Sequence, residues 1–269
     1  MSVPLEIEIA GLSLVISSDD CSFLSQIADR YEGFIKPPGS RAELSYFFSM
    51  TTDENLAAGS ETVPEIAKGK TGYRILRRDF EIDVFPASSE ITGIVARNIY
   101  SFDSLLRVFF SVALLELDGL LLHSSSVLDG SKAFVFFGVS GSGKTTTAQL
   151  SSPTHPVLSD ELTIIRLHDD GHRAYGTPFW GEMQKNGINT SGKITALFQL
   201  VKNTEAKLVP LRPMPALQRI LPCVLFFARQ ENFVQRAVDI CCRLVQDLPV
   251  YEMHFLPDPS FWRLLADVK

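Results

Sequence analysis

The 269-residue sequence predicts a mixed α/β chain, of the α+β type with a mixed sheet, built as a small N-terminal part and a larger C-terminal one. Three observations carry this expectation. Period-two apolar patterns alternate with helical ones along the whole length. Two strongly apolar runs meet across Asp129-Gly130, a dipeptide that favours a tight hairpin and hence antiparallel pairing. Directly after the second run, a glycine-rich turn at residues 138–145 leads into the helix-compatible segment TTTAQL.

Residues 5–16 alternate and then run apolar, as one or two strands turning at Gly11. Phe23–Phe34 has helical spacing, and strands are expected at Leu44–Met50, Tyr73–Arg77, Phe80–Phe85 and Ile91–Ala96. The polar stretch Thr51–Lys70 reads as a surface loop. Residues 1–100 are thus expected to form a small, mostly antiparallel α+β accessory unit. Ser101 or Asp103 can cap a helix running to about Glu116, apolar on nearly every side and therefore buried all round. That helix is assigned as the link belonging to a second domain, residues 101–269. Beyond the hairpin, strands are expected near Pro156–Ser159, Leu162–Leu167, Arg173–Tyr175, Ile194–Val201, Lys207–Val209 and Val250–Leu256. Helices are expected at Pro215–Ala228, Asn232–Gln246 and Ser260–Val268.

Composition excludes several classes. With 45% hydrophobic and 21% charged residues the chain is an ordinary globular protein, neither disordered nor collagenous. A formal charge of −6 gives no sequence-independent attraction to nucleic acid or to an anionic membrane. The four cysteines, Cys21, Cys223, Cys241 and Cys242, lack metal-cage spacing and read as small hydrophobes in a reducing compartment. Residues 1–16 carry Glu6 and Glu8 and resemble a strand more than a signal peptide. The run Leu105–Leu122 is interrupted by Arg107, Glu116 and Asp118, too polar for a membrane span. A cytoplasmic location is expected, and nothing in the sequence sets an oligomeric state.

Chemistry enters at the glycine-rich turn. Gly138-Val139-Ser140-Gly141-Ser142-Gly143-Lys144-Thr145 fits G-x-x-x-x-G-K-[ST], between the strand Ala133–Phe137 and a helix start, the context in which such a loop cradles phosphates. Glycines let successive N–H groups point inward, and the helix N-terminus adds partial positive charge. Gly138, Ser140, Gly141, Ser142, Gly143, Lys144, Thr145 and Thr146 are therefore the candidate nucleotide-binding residues. Lys144 can bridge β- and γ-phosphates, and the Thr145 hydroxyl can ligate Mg²⁺. The metal also needs a carboxylate, and Asp160-Glu161 supplies two at a strand end, only sixteen residues beyond Lys144. Pro153 and Pro156 leave no room there for a full crossover helix and strand. Guanine-reading, ABC-type and eukaryotic-kinase signatures do not occur.

The segment LHSSSVLDGSKAFVFFGVSGSGKTTTAQL, followed by LSDEL, resembles the catalytic domain of bacterial HPr kinase/phosphorylase and its shorter relatives, whose nucleotide core is shared with ATP-dependent phosphoenolpyruvate carboxykinase. The resemblance is specific over about residues 120–166. It implies a P-loop core of that type and phosphoryl transfer from ATP, with Mg²⁺, to a serine of a peptide or small protein. It further implies Asp160 as the base for the acceptor hydroxyl, Lys144 as the cation on the transferred group, and Thr145 with Asp160, Glu161 or Glu182 at the metal. The chain departs from the family in carrying Glu161 where an aspartate is usual. It also lacks a well-formed glycine-rich acceptor signature, which argues against HPr itself as acceptor.

His123, one strand away from the P-loop strand, is expected either to tune proton transfer or to be a core histidine satisfied by Ser124–Ser126. Phe179 and Trp180 are candidate walls for adenine or acceptor, or simply core. Arg212, Arg219 and Arg229 are candidate phosphate clamps by charge alone. The leading expectation is a Mg-ATP-dependent serine kinase. The alternatives are a nucleotide-dependent binding module without transfer activity and a small-molecule kinase.

Overall fold

The computed structural model describes residues 3–37, 41–57, 62–69, 71–266 and 268. The chain divides into two compact units, one made of Met1–Leu114 with Phe226–Val234, the other of Leu115–Leu225 with Gln235–Lys269.

The first unit is a mixed eight-stranded sheet carrying two helices. Strands β1 (Leu5–Ile9) and β2 (Leu12–Ser17) form a hairpin whose turn places Gly11 at φ +82°, and helix α1 (Cys21–Arg30) follows. Then come β3 (Ile35–Lys36), β4 (Leu44–Asp53), β5 (Glu65–Lys68), β6 (Tyr73–Arg77), β7 (Phe80–Phe85) and β8 (Glu90–Ala96). Their order is β3-β1-β2-β4-β8-β7-β6-β5, antiparallel except where β4 pairs parallel with β2 and β8. The polar stretch expected as loop from Thr51 therefore contains the end of β4 and all of β5, of which Ile66 alone is buried; residues 58–61 and 70 within it lie outside the described residues.

Helix α1 stops at Arg30, short of Phe34, because the chain turns through Gly33 at φ +85°. Helix α2 (Ile99–Ala113) begins at an Asn98 cap whose side chain accepts from Tyr100 and Ser101 N–H, three or five residues before the expected caps Ser101 and Asp103. Asp103 instead sits buried inside the unit, accepting from Arg30, the Tyr31 hydroxyl and Arg107. Phe102 meets Phe23 and Tyr31 edge-on, and Phe109 meets Tyr46. These contacts are why α2 groups with the N-terminal unit rather than with residues 101–269 as expected.

The second unit starts with β9 (Gly119–Asp129) and β10 (Lys132–Phe137), the hairpin that Asp129-Gly130 predicts. Helix α3 (Lys144–Ser151) follows, then β11 (Val157–Ser159), β12 (Leu162–His168), β13 (Gly171–Tyr175), β14 (Ser191–Lys202) and β15 (Lys207–Leu211). Helix α4 (Pro213–Ile220) ends in a 3-10 turn, Leu221–Cys223, instead of reaching Ala228, because Pro222 has no N–H to continue the ladder. Helix α5 (Glu231–Asp247), strand β16 (Val250–Phe255) and helix α6 (Phe261–Leu265) complete the chain.

The sheet order is β10-β9-β12-β13-β14-β16-β15, with β11 on β9 and an added β10–β14 pairing, so the strands from β10 round to β14 close on themselves. Strand β10 is antiparallel to β9 but parallel to β14, which is parallel to β16. Apolar residues cover both faces. One cluster joins Val135, Phe137 and Leu197 to Ile220 and Leu244; the other joins Phe136, Phe198 and Phe255 to Phe261. Burial on this scale, at about 1.5–3 kcal/mol per large apolar side chain, anchors the strands whose ends carry polar chemistry. Among the described residues no helix is long and apolar enough to cross a membrane.

Candidate functional site

The parallel strands β10, β14 and β16 bring their carboxyl ends together, where open α/β sheets collect ligands. From the end of β10 the chain curls through Gly138, Gly141 and Gly143 at φ +153°, +73° and +110°, and Gly143 is the residue before the first turn of α3. A Cβ on Gly143 would stand 2.7 Å from Cζ of Phe255, so this position needs glycine for close approach as well as for its backbone. Helix α3 is moored from below: Thr147 Oγ1 lies 2.9 Å from Ser125 Oγ on β9 and donates to Lys144 O at 2.7 Å.

Lys144 is buried, and its Nζ donates to Gly138 O and Val139 O, each at 3.1 Å. Burial lowers its pKa, while Cys223, Glu161 and Glu182 act in the opposite sense. Cys223 itself is held up by burial, against the pull of the Gly138 backbone and Lys144. The Ser142 hydroxyl is buried without a hydrogen-bond partner among the described residues.

A cavity of about 370 Å³ opens on this loop, lined by His123, Ser140, Gly141, Gly143, Lys144, Thr145, Thr146, Glu161, Glu182 and Lys202. In the same lining, His123 Nε2 stands 3.6 Å from Glu161 Oε2, and both side chains are partly exposed. His123 is thus placed beside the acidic pair rather than among the serines. Those serines do other work: Ser125 holds α3, and Ser126 accepts from Thr163 at 2.8 Å.

Asp160 does not line this cavity. It is 3% exposed, with Oδ1 accepting from Gly181 N at 3.2 Å and Oδ2 from Met183 N at 2.9 Å, and it faces a neighbouring cavity of about 330 Å³. The base and metal roles expected of it therefore do not fit its surroundings. Asp160 and Glu161 form the bend between β11 and β12, and of the two only Glu161 lines the loop cavity.

Glu182 arrives from a segment without regular structure, residues 176–190, laid tightly over β11. Thr177 N donates to Leu158 O and Ile188 N to Val157 O, and Cβ atoms on Gly176 and Gly187 would collide with backbone oxygens. Phe179 is core, and the Trp180 indole donates to Asn186 Oδ1 at 2.6 Å, so neither is a cavity wall. Of the arginines, Arg219 is bound to Glu252 and Gln199, both at 2.6 Å, Arg212 is exposed, and Arg229 belongs to the first unit. The second cation at the loop is Lys202, at the end of β14. The signal for it was the strand Ile194–Val201, had its pairing with the P-loop strand been known.

Among the described residues no three His, Cys, Asp or Glu side chains converge as a preformed metal cage. The donors around the cavity, the Thr145 hydroxyl and the carboxylates of Glu161 and Glu182, are all hard oxygens. That set suits Mg²⁺, which takes one or two carboxylates beside substrate phosphates and water.

No curated protein matches the chain. The family described as SynChlorMet cassette protein ScmC matches residues 95–268, a stretch that contains every residue of the loop cavity and well over half of the sequence. The chain belongs to the ScmC family.

Proposed function

We propose that the protein is a Mg-ATP-dependent phosphotransferase that moves the γ-phosphoryl group of ATP to a hydroxyl, with a serine of a peptide or small protein as acceptor. One observation carries the reading: a single cavity is lined both by the glycine-rich loop with Lys144 and Thr145 and by the His123–Glu161 pair with Glu182. The resemblance of residues 120–166 to HPr kinase/phosphorylase, with its phosphoenolpyruvate carboxykinase-type core, supports the acceptor class.

The triphosphate would lie against the loop amides and the N-terminus of α3, with Lys144 exchanging its two carbonyl partners for phosphate oxygens. Lys202, in the same lining, adds a second positive charge. Thr145 and Glu182 would hold Mg²⁺, which supplies charge neutralisation on the phosphate oxygens. Glu161 accepts the proton of the acceptor hydroxyl as its oxygen bonds to the γ-phosphorus and the bond to the β-phosphate oxygen breaks, releasing ADP. His123 Nε2, 3.6 Å from Glu161 Oε2, would take part in that proton transfer after a small approach that brings the two into hydrogen-bond reach.

The test is transfer from labelled ATP to candidate peptides, read by mass spectrometry, alongside calorimetric ATP binding. Lys144→Ala should abolish binding. Glu161→Gln should keep ATP affinity within a few-fold and lower kcat by about 10²–10⁴, the usual contribution of a positioned base. Wild-type protein that binds ATP and never phosphorylates a hydroxyl would instead be a nucleotide-dependent binding module.

A further inference from the structure

We infer that Asp160 is a positioning residue that fixes Glu182 at the metal side of the cavity, and does not take the substrate proton. This rests on the phosphotransferase reading above. The two N–H groups that Asp160 accepts from belong to Gly181 and Met183, the residues immediately before and after Glu182. One carboxylate thereby pins the backbone on both sides of the side chain that must face Thr145 and the phosphates. Both of its oxygens are committed to that task, and the carboxylate is almost wholly buried.

The approach is close enough to dictate the neighbouring residue. A Cβ on Gly181 would lie 2.6 Å from Asp160 Oδ2 and 2.9 Å from Glu161 Cβ. Glycine at 181 lets the loop descend onto the acidic pair, so Asp160 and Gly181 act as one clasp. On its far side the loop is fixed by Gly187 N donating to Thr177 O and Ile188 N to Val157 O. The clasp is what holds the remaining stretch, and with it Glu182, over the opening of the P-loop cavity.

Asp160→Asn keeps shape and one acceptor oxygen but sets an NH₂ group against a backbone N–H. Three measurements on the full-length protein test the inference. Hydrogen exchange on the nucleotide-free protein should show protection lost at the amides of residues 181 and 183, a readout independent of any activity. ATP binding in EDTA should stay within twofold of wild type, while the Mg²⁺ concentration giving half-maximal tightening of ATP binding, and half-maximal transfer, rises roughly 10–100-fold, as when a metal ligand loses its orienting partner. Glu182→Gln should raise it similarly, and the double variant should be no worse than the poorer single one, since both act on the same ligand.

Gly181→Ala gives a second route, because it displaces the loop while leaving the carboxylate in place; it should reproduce the raised Mg²⁺ requirement even if Asp160→Asn folds poorly. The inference is overturned if Asp160→Asn leaves the Mg²⁺ requirement unchanged and collapses kcat at saturating Mg²⁺, the signature of a base, or if the two single effects multiply in the double variant. A wild-type protein that neither binds nor turns over ATP sinks the phosphotransferase reading itself, and the exchange result then still decides whether the clasp exists.

Discussion

Gly143 combines two demands that a side chain cannot meet. Its φ of +110° is costly for any residue with a Cβ, and that Cβ would stand 2.7 Å from the Phe255 ring, itself packed in the core under α3. Gly143→Ala should therefore destabilise the protein by about 1–3 kcal/mol through strain and overpacking, seen as a lower urea midpoint, and weaken ATP binding more than a surface change does. An unaltered midpoint would mean that the loop relaxes freely and that Phe255 is no constraint. At this scale the sequence is most informative where a residue type is dictated by backbone geometry, which is why the P-loop glycines, Lys144 and Thr145 could be read directly. It is least informative where two candidates differ only in direction. Asp160 and Glu161 are adjacent and chemically alike; which of them lines the loop cavity depends on the bend between β11 and β12 and on amides that lie over twenty residues away. Lys202 was illegible for a similar reason, since its place in the cavity follows from a parallel pairing between β10 and β14.

Elements were legible where they carry their own punctuation. The hairpin of β9 and β10 follows from Asp129-Gly130, and α5 from its apolar stripe, whereas β5 hides in a polar stretch because it is an edge strand with one buried side chain. Helix α1 illustrates how much one end of an element can hold. Asp20 accepts from Phe23 N at 2.9 Å as its cap, from Thr52 Oγ1 at 3.0 Å and from Arg97 Nε at 2.7 Å. The hydrogen bond from Arg97, aided by the Phe23 amide and Thr52, holds the carboxyl below its ordinary value of 3.8 in spite of the opposing effect of burial. Because the folded value is the lower one, the stabilisation is complete above the ordinary value and is lost as pH falls through the folded value. Asp20→Ala should cost about 1–2 kcal/mol at neutral pH. Asp20→Asn, still a good cap, should cost about 0.5–1 kcal/mol by losing the ion pair. The gap between wild type and Asp20→Asn should close as pH is lowered below 3.8. A gap that widens on acidification would show that Asp20 is not held in its charged form by Arg97.

At the scale of the whole molecule, the sequence order misstates the units. A boundary near residue 100 follows from where the P-loop stands, yet the first unit runs to Leu114 and then includes Phe226–Val234, a segment more than a hundred residues later in the sequence. Nothing local announces that return: the segment follows a proline-stopped helix and looks like a connector. Its contacts are specific. Gln230 Nε2 donates to Ile66 O on the edge strand β5 at 2.5 Å, and Phe233 packs edge-on against Tyr73 of β6 with ring centroids 5.6 Å apart. The segment thus covers part of the β5–β6 edge, which would otherwise be available for strand pairing. Phe233→Ala should lower the stability of the first unit by about 1 kcal/mol, the contribution of an aromatic pair beyond the area it buries. A fragment ending at Leu114 loses the whole segment and should unfold at a distinctly lower urea concentration than the same unit in the intact chain, with stronger self-association through the bared edge. Size-exclusion chromatography and urea titration followed by a probe within residues 1–114 would measure both. A fragment as stable and as monomeric as the parent would show that Phe226–Val234 merely lies on the first unit. A weakened fragment would mean that the unit outside the ScmC match at its N-terminal side is completed by residues within it, so the two parts of this chain fold as partners in one polypeptide and not as separable beads.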